Sequence, residues 1–217
     1  MKPLLSAFFI FSLLSVIAQD QDPKAKAILD DLSKATKAHK TILAEYVFTI
    51  LSKEKKQVEK QNGKVWVKGI KFKLEIPGNT IVCDGKTLWN HNKDAKEVTI
   101  KNFDADNDEQ LNPGKIFTLY ETGYKYKFDK EEKTGTVMSS IIDLFPNIKP
   151  EKKKFHTIKL FVNKTKKQIV QVKMLMKDGG TQLYEIKSLK PNTEMPDNLF
   201  VFDLKGFKSD QINDERD

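Results

Sequence analysis

Two residue types are almost missing from this chain of 217 residues. Cys83 is the only cysteine, so no intramolecular disulfide can form and stability must come from strand pairing and apolar burial. Arg216 is the only arginine among 38 basic residues, although the net charge is +8. Because the planar fork of arginine is favoured for reading bases and clamping phosphates, a lysine-based surface argues against a nucleic-acid partner.

Catalytic and metal-binding motifs are also missing. His39, His91 and His156 are far apart and show no metal-ligand spacing. The chain contains neither the GxSxG turn of serine hydrolases nor a glycine-rich phosphate loop. The acidic run at 104–109 begins like a calcium loop, but it lacks the central glycine and has Lys115 in place of the final glutamate. We therefore predict no enzyme activity, no metal and no cofactor.

Long hydrophobic runs are absent after Ala18. The first 18 residues combine Lys2 with an apolar run that ends in small residues, which is typical of a secretory signal peptide cleaved before Gln19. The run is too short for a typical membrane span. We therefore expect an exported protein in which residues 19–217 form a single domain.

An amphipathic helix is predicted at the start of the mature chain. Asp22 is suited to cap its N-terminus, and Pro23 fits its first turn. Apolar residues then recur every three or four positions, so one stripe of the helix must pack on another element. The stripe consists of Ala25, Ile28, Leu29, Leu32, Ala35 and His39.

The rest of the chain alternates apolar and polar residues over short stretches separated by turn signals, which is typical of consecutive antiparallel strands. In one such stretch, Phe72, Leu74 and Ile76 share a face and lysines share the other. We expect a mainly β fold of about 11 strands in hairpin order, strongly curved, whose apolar face must be covered.

Three local predictions accompany this fold. Asn62-Gly63 predicts a tight hairpin turn. The segment at 111–120 predicts a short helix, and Phe200 and Phe202 predict a last short strand.

Several motifs in this strand series resemble the LolA family of periplasmic outer-membrane lipoprotein carriers. The most specific are a VWVK segment and the CDGKTLW block that follows it. The motifs lie at 65–68 (VWVK), 83–89 (CDGKTLW), 98–99 (VT), 178–181 (DGGT) and 200–202 (FVF), with Gly206 after the last.

The resemblance implies an unclosed antiparallel β-barrel with helices as a lid over an apolar cavity. It implies a periplasmic chaperone that binds the acyl chains of lipoproteins released from the inner membrane by an ABC transporter. An acceptor at the outer membrane would then receive them. A monomer without catalytic residues is expected.

Alternation along the strands and the position of the short helix predict which side chains line such a cavity. The predicted wall of the first sheet half is Phe48, Trp66, Phe72, Leu74, Ile81 and Val98. The predicted wall of the second half is Tyr126, Phe128, Ile158, Leu160, Val172 and Met174, and the predicted lid is Ile116, Phe117 and Tyr120.

One position departs from the family pattern. Members of the family carry Arg-Pro directly after the WVK segment, and that arginine holds the lid closed. Here the two residues are Gly69 and Ile70. We therefore expect any lock on the lid to use lysine or backbone groups.

Two other functions are compatible with the sequence. A periplasmic regulator with the same fold would detect lipids or lipoproteins and would need a signalling partner. A secreted hydrolase with an unrecognised site is the third possibility.

Overall fold

The computed structural model describes residues 21–105, 113 and 123–216, which form one sheet of 12 strands preceded by one α-helix. The helix α1 spans Pro23–Lys37, and short 3-10 helices occur at Pro150–Lys152, Asp197–Phe200 and Ser209–Gln211. The strands are β1 (Ile42–Leu51), β2 (Gln57–Lys68), β3 (Lys71–Ile76), β4 (Asn79–Cys83), β5 (Thr87–Asn92), β6 (Glu97–Asn102), β7 (Tyr124–Thr134), β8 (Val137–Pro146), β9 (Phe155–Asn163), β10 (Ile169–Met176), β11 (Thr181–Pro191) and β12 (Ile212–Asp214).

The sheet does not close on itself. Its strand order is β12-β6-β5-β4-β3-β2-β1-β11-β10-β9-β8-β7, so β12 and β7 are its two edges. All neighbours pair in antiparallel fashion except β12, which pairs in parallel with β6. The predicted mainly β, unclosed fold is confirmed. The additional strand β12 has three residues, too few for a recognisable alternation.

Asp22 caps α1 as predicted and also joins it to the sheet. Its Oδ1 accepts hydrogen bonds from the backbone N–H groups of Lys24 at 2.8 Å and Ala25 at 3.2 Å. Its Oδ2 accepts one from the N–H of Phe128 on the edge strand β7, also at 2.8 Å. The neighbouring Gln21 accepts from Tyr126 of β7 at 3.2 Å. Residues 21 and 22 thus satisfy donors that an edge strand would otherwise leave unpaired.

The apolar stripe of α1 lies on one face of the sheet, called here the helix-bearing face, but His39 lies beyond the end of the helix and is not part of the stripe. Ala25, Leu29 and Leu32 are fully buried against this face. A second cluster continues the face over β1 to β4, and Phe103 and Ala105, which follow β6, pack into it. The buried sheet residues of the first cluster are Tyr126, Ile142, Leu144, Ile158, Leu160, Val162, Ile169 and Val172. Those of the second are Ile42, Ala44, Val67, Phe72 and Cys83.

A C-terminal segment covers the opposite face of the first sheet half. Phe202, Leu204 and Phe207 from this segment and Ile212 of β12 pack on a cluster of Val82, Trp89, Val98 and Ile100. Phe200 and Phe202 lie in a 3-10 helix and the irregular stretch after it, so the strand predicted there is wrong. Two phenylalanines at positions i and i+2 fit a strand, but here they anchor a loop.

The hairpin turn predicted at Asn62-Gly63 is also wrong, because β2 continues through both residues. Gly63 lies directly opposite Tyr46 of β1. A side-chain Cβ at Gly63 would overlap the Tyr46 ring. The glycine therefore makes room for a ring that crosses the sheet surface, which is a known use of glycine within strands.

Two predictions lie outside the described residues: the signal peptide at 1–18 and the short helix at 111–120. Among the described residues, no helix is long and apolar enough to cross a bilayer.

Candidate functional site

A half-buried apolar strip lies between the two packed clusters of the helix-bearing face. We call it the central band and define it as Tyr46, Phe48, Val65, Met174 and Tyr184. Strand register places these side chains together, because directly paired residues point to the same face. Phe48 pairs with Tyr184, which pairs with Val172, the neighbour of Met174 on that face. All five side chains keep part of their surface exposed.

Aromatic contacts hold the centre of the band. The ring centroids of Phe48 and Tyr184 are 4.7 Å apart, and those of Tyr46 and Tyr184 are 6.0 Å apart. Burial, with a smaller contribution from Tyr184, raises the pKa of Tyr46 to about 12, and burial also raises the pKa of Tyr184. Both hydroxyls are therefore neutral near pH 7, and the band presents uncharged rings.

A cavity of about 280 Å³ adjoins the band at the end of β1. Ile50, Met176 and Gln182 are among its lining residues. Ile50 follows Phe48 on the same face, and Gln182 pairs with both Ile50 and Met174. Ser52, Lys53 and Asp178 also line this recess, so it is a mixed polar and apolar pocket beside the band.

The structure brings most of the predicted wall together on the helix-bearing face. Phe48, Ile81, Phe128 and Met174 are half-buried there and so keep part of their surface available. The other wall residues on this face are already packed in its clusters or beside them: Phe72, Leu74, Tyr126, Ile158, Leu160 and Val172. Their contact with a ligand stays a prediction.

Trp66 and Val98 require a correction, because they point to the opposite face. Trp66 pairs with Lys73 of β3, and the ammonium groups of Lys64 and Lys73 lie 4.9 and 5.4 Å from its ring centroid. Val98 is fully buried under the C-terminal segment. Three consecutive apolar residues, VWV, do not reveal which of them faces inward, and only the pairing with β3 decides it.

The predicted lid residues Ile116, Phe117 and Tyr120 lie outside the described residues. The chain leading to them leaves β6 and turns onto the helix-bearing face, where the Phe103 ring lies 5.8 Å from the Phe72 ring in an edge-on arrangement. The predicted wall did not include Tyr46, Val65 or Tyr184. Tyr46 could have been found, since it shares the two-residue alternation with Phe48.

Gly69 and Ile70 form the two-residue turn between β2 and β3. Gly69 has a φ of +59°, which favours glycine, and the Ile70 side chain packs over Gly85 in the turn between β4 and β5. The adjacent Lys68 points to the opposite face and binds the C-terminal segment, through Asp197 Oδ1 at 3.0 Å and the Met195 carbonyl at 3.3 Å. The lysine of the VWVK motif is thus bound to the C-terminal segment.

Reactive groups do not converge in the described part of the chain. No three His, Cys, Asp or Glu side chains there are placed to hold a metal ion. Cys83 is fully buried, and burial raises the pKa of its thiol to about 11. His91 packs against the rings of Phe202 and Phe207. The helix-bearing face therefore offers apolar area and little reactive chemistry.

A mainly β sheet that does not close on itself, preceded by a single described α-helix, fits the LolA-like fold. The family model described as "Outer membrane lipoprotein carrier protein LolA" matches residues 37–203. The chain belongs to this family, which is a family of carriers.

Known relatives are distant. The outer-membrane lipoprotein carrier protein of Haemophilus influenzae (strain PittEE) is 28% identical over 177 residues, which cover 80% of each chain. That of Histophilus somni (strain 2336) is 27% identical over 179 residues, again 80% of each chain. An uncharacterized conserved protein from Thermus thermophilus superposes with a TM-score of 0.58 at 15% identity, covering 89% of this chain and 99% of that one. The last likeness concerns the fold alone.

Proposed function

We propose that this protein is a periplasmic carrier that shelters the acyl chains of lipoproteins between the inner and outer membranes. Residues 1–18 are its export signal and residues 19–217 its single carrier domain. An inner-membrane ABC transporter loads it, and an acceptor at the outer membrane unloads it. The observation that carries the proposal is the central band, an uncharged apolar surface left half-buried beside two well-packed clusters.

The energetics favour such a role. Each methylene removed from water contributes roughly 0.8 kcal/mol, so about a dozen sheltered methylenes contribute roughly 10 kcal/mol. Cargo first meets the side chains with available surface, namely Phe48, Ile81, Phe128 and Met174. Met174 suits varied chains because its unbranched thioether adapts its shape. Ile116, Phe117 and Tyr120 complete the enclosure as a lid.

Closure of the lid does not use the family's arginine in this proposal. Gly69 and Ile70 occupy that position, and Lys68 is bound to Asp197 on the opposite face. Any lock on the lid uses lysine or backbone groups instead, and the release of cargo depends on a competing apolar site at the acceptor.

Titration of the mature protein with a fluorescent fatty acid tests the binding surface. Fully burying a phenylalanine contributes about 1.5–3 kcal/mol, and Phe48 is already half-buried, so Phe48→Ser should weaken binding by about fourfold to tenfold. Trp66→Ser is the matched control, because Trp66 is also a half-buried aromatic residue but lies on the opposite face, and it should change binding by less than about threefold.

Equal losses in the two variants, with both folded by circular dichroism, would contradict the proposed binding surface.

Delivery is tested by mixing the protein with vesicles that contain a lipoprotein and its releasing transporter. A carrier yields a soluble complex of protein and lipoprotein after ATP addition. If no such complex forms, the carrier proposal is wrong, whatever the fatty-acid titration shows.

A further inference from the structure

Two large apolar side chains are exposed where β8 leads into β9. Phe145 is 38% exposed and Ile148 is 55% exposed. Ile148 lies in the connection between the strands, next to Lys149, whose φ of +45° turns the backbone sharply. Exposed apolar residues scattered singly are ordinary, but two within four residues beside a charged stretch need an explanation.

The same connection is strongly basic. Lys149, Lys152, Lys153 and Lys154 follow Ile148 within six residues, with Glu151 as the only acidic residue among them. Within the described part of the chain, none of these four lysines forms an ion pair. Their charges therefore act together on whatever approaches this end of the sheet.

The connection is held in place by backbone and side-chain contacts. Lys177, in the turn between β10 and β11, donates from Nζ to the carbonyl oxygens of Pro150 at 2.6 Å and Glu151 at 3.3 Å. Its backbone N–H donates to the Lys154 carbonyl at 2.9 Å. The N–H of Asn147 donates to the Gly123 carbonyl, also at 2.9 Å. These contacts fix the geometry of residues 145–154, which we call the basic tip.

We propose that the basic tip docks this protein on the surface of an anionic lipid bilayer. Ile148 and Phe145 enter the interface between headgroups and acyl chains, while the lysines lie against the lipid phosphates. Lysine suits this partner because it is a flexible point charge that adapts to a diffuse negative surface, whereas specific recognition of a phosphate group favours arginine. The charge and the apolar anchors reinforce each other, since either alone gives weak membrane binding.

The location of the tip fits transfer of cargo at a membrane. Gly123, which accepts the hydrogen bond from Asn147, is the first described residue after the segment with the predicted lid. A bilayer in contact with the tip therefore lies close to Gly123. Docking is measured without cargo or transporter, so its failure is distinguishable from failure of the carrier proposal.

Vesicle flotation of the mature protein tests docking. Phosphatidylcholine vesicles with and without about an equal part of phosphatidylglycerol are compared at low salt and at roughly 0.5 M salt. We expect binding to the anionic vesicles at low salt only. Each lysine near the surface contributes about fivefold, so the triple variant Lys152→Gln, Lys153→Gln, Lys154→Gln should bind about a hundredfold more weakly. Ile148→Ser should weaken binding by about fivefold.

The matched control is the triple variant Lys86→Gln, Lys93→Gln, Lys96→Gln. These exposed lysines lie in the turns around β5, and the variant lowers the net charge by the same amount. It should bind within about threefold of the wild type. An equal loss in both triple variants would overturn the proposal in favour of overall charge. The proposal would also be overturned if the wild type did not bind anionic vesicles, and the alternative would then be that the basic tip binds a protein partner.

Discussion

Replacement of Asp22 by alanine should both loosen α1 and expose the edge of the sheet. The carboxylate accepts two hydrogen bonds at the helix N-terminus and one from Phe128 of β7. Loss of an N-cap costs about 1 kcal/mol, and a hydrogen bond to a charged acceptor contributes about 1.5–3 kcal/mol. Water reaches this half-buried site and offsets part of the loss, so we expect Asp22→Ala to lower the free energy of unfolding by about 2 kcal/mol.

The effect should depend on pH in a defined direction. The hydrogen bond from Phe128 N–H is the main cause that lowers the pKa of Asp22 below its ordinary value of 3.8. The folded protein therefore holds this proton less tightly than the unfolded chain. The carboxylate stabilises the fold above pH 3.8, and its contribution is lost as the pH falls through the lower folded pKa.

Urea denaturation at a series of pH values measures this difference between wild type and Asp22→Ala. Asp30→Ala is the matched control on the same helix, because Asp30 is exposed and its one ion pair among the described residues is with Lys26, four residues earlier. It should cost less than about 0.5 kcal/mol. A difference for Asp22→Ala that is below about 0.5 kcal/mol, or that persists unchanged at the lowest pH, would refute the assigned hydrogen bonds.

Two further predictions concern Gly63 and Cys83. Gly63→Ala should destabilise the fold by about 1–3 kcal/mol in urea denaturation because its Cβ overlaps the Tyr46 ring. The cost should largely vanish in a Tyr46→Ala background, and an undiminished cost would show that the ring is not the cause. Cys83 should react with iodoacetamide very slowly in the folded protein near pH 8 and faster as the pH approaches its raised pKa of about 11. Denatured protein should react like a free thiol, and equally fast labelling of folded protein would contradict the burial of Cys83.

Local features of the sequence predicted α1 and most strands. Asp22 and Pro23 mark the start of the helix, and the spacing of Ala25, Leu29 and Leu32 identifies its buried stripe, as the structure confirms. These features depend only on neighbouring residues along the chain, and for this reason a pattern can reveal them.

The errors arose where a residue's role depends on a distant partner. Asn62-Gly63 is a turn signal in isolation, but Tyr46 from another strand requires the glycine within a strand. Phe202 belongs to an irregular segment that covers Trp89 and its neighbours, which no local alternation indicates. Trp66 was assigned to the wrong face because an uninterrupted apolar run has no internal marker of orientation.

The mainly β class, the N-terminal helix and the family follow from local periodicity and short motifs, which depend on residues close together in the chain. Which apolar residues share a face follows from the fold alone, because strand register, bulges and the C-terminal segment act between residues far apart in the chain. That arrangement buries Val98 under one layer and joins Tyr46, Phe48 and Tyr184 into the central band on the other face. The sequence shows Gly69 where the family has an arginine, but the contact between Lys68 and Asp197 is evident only from the structure.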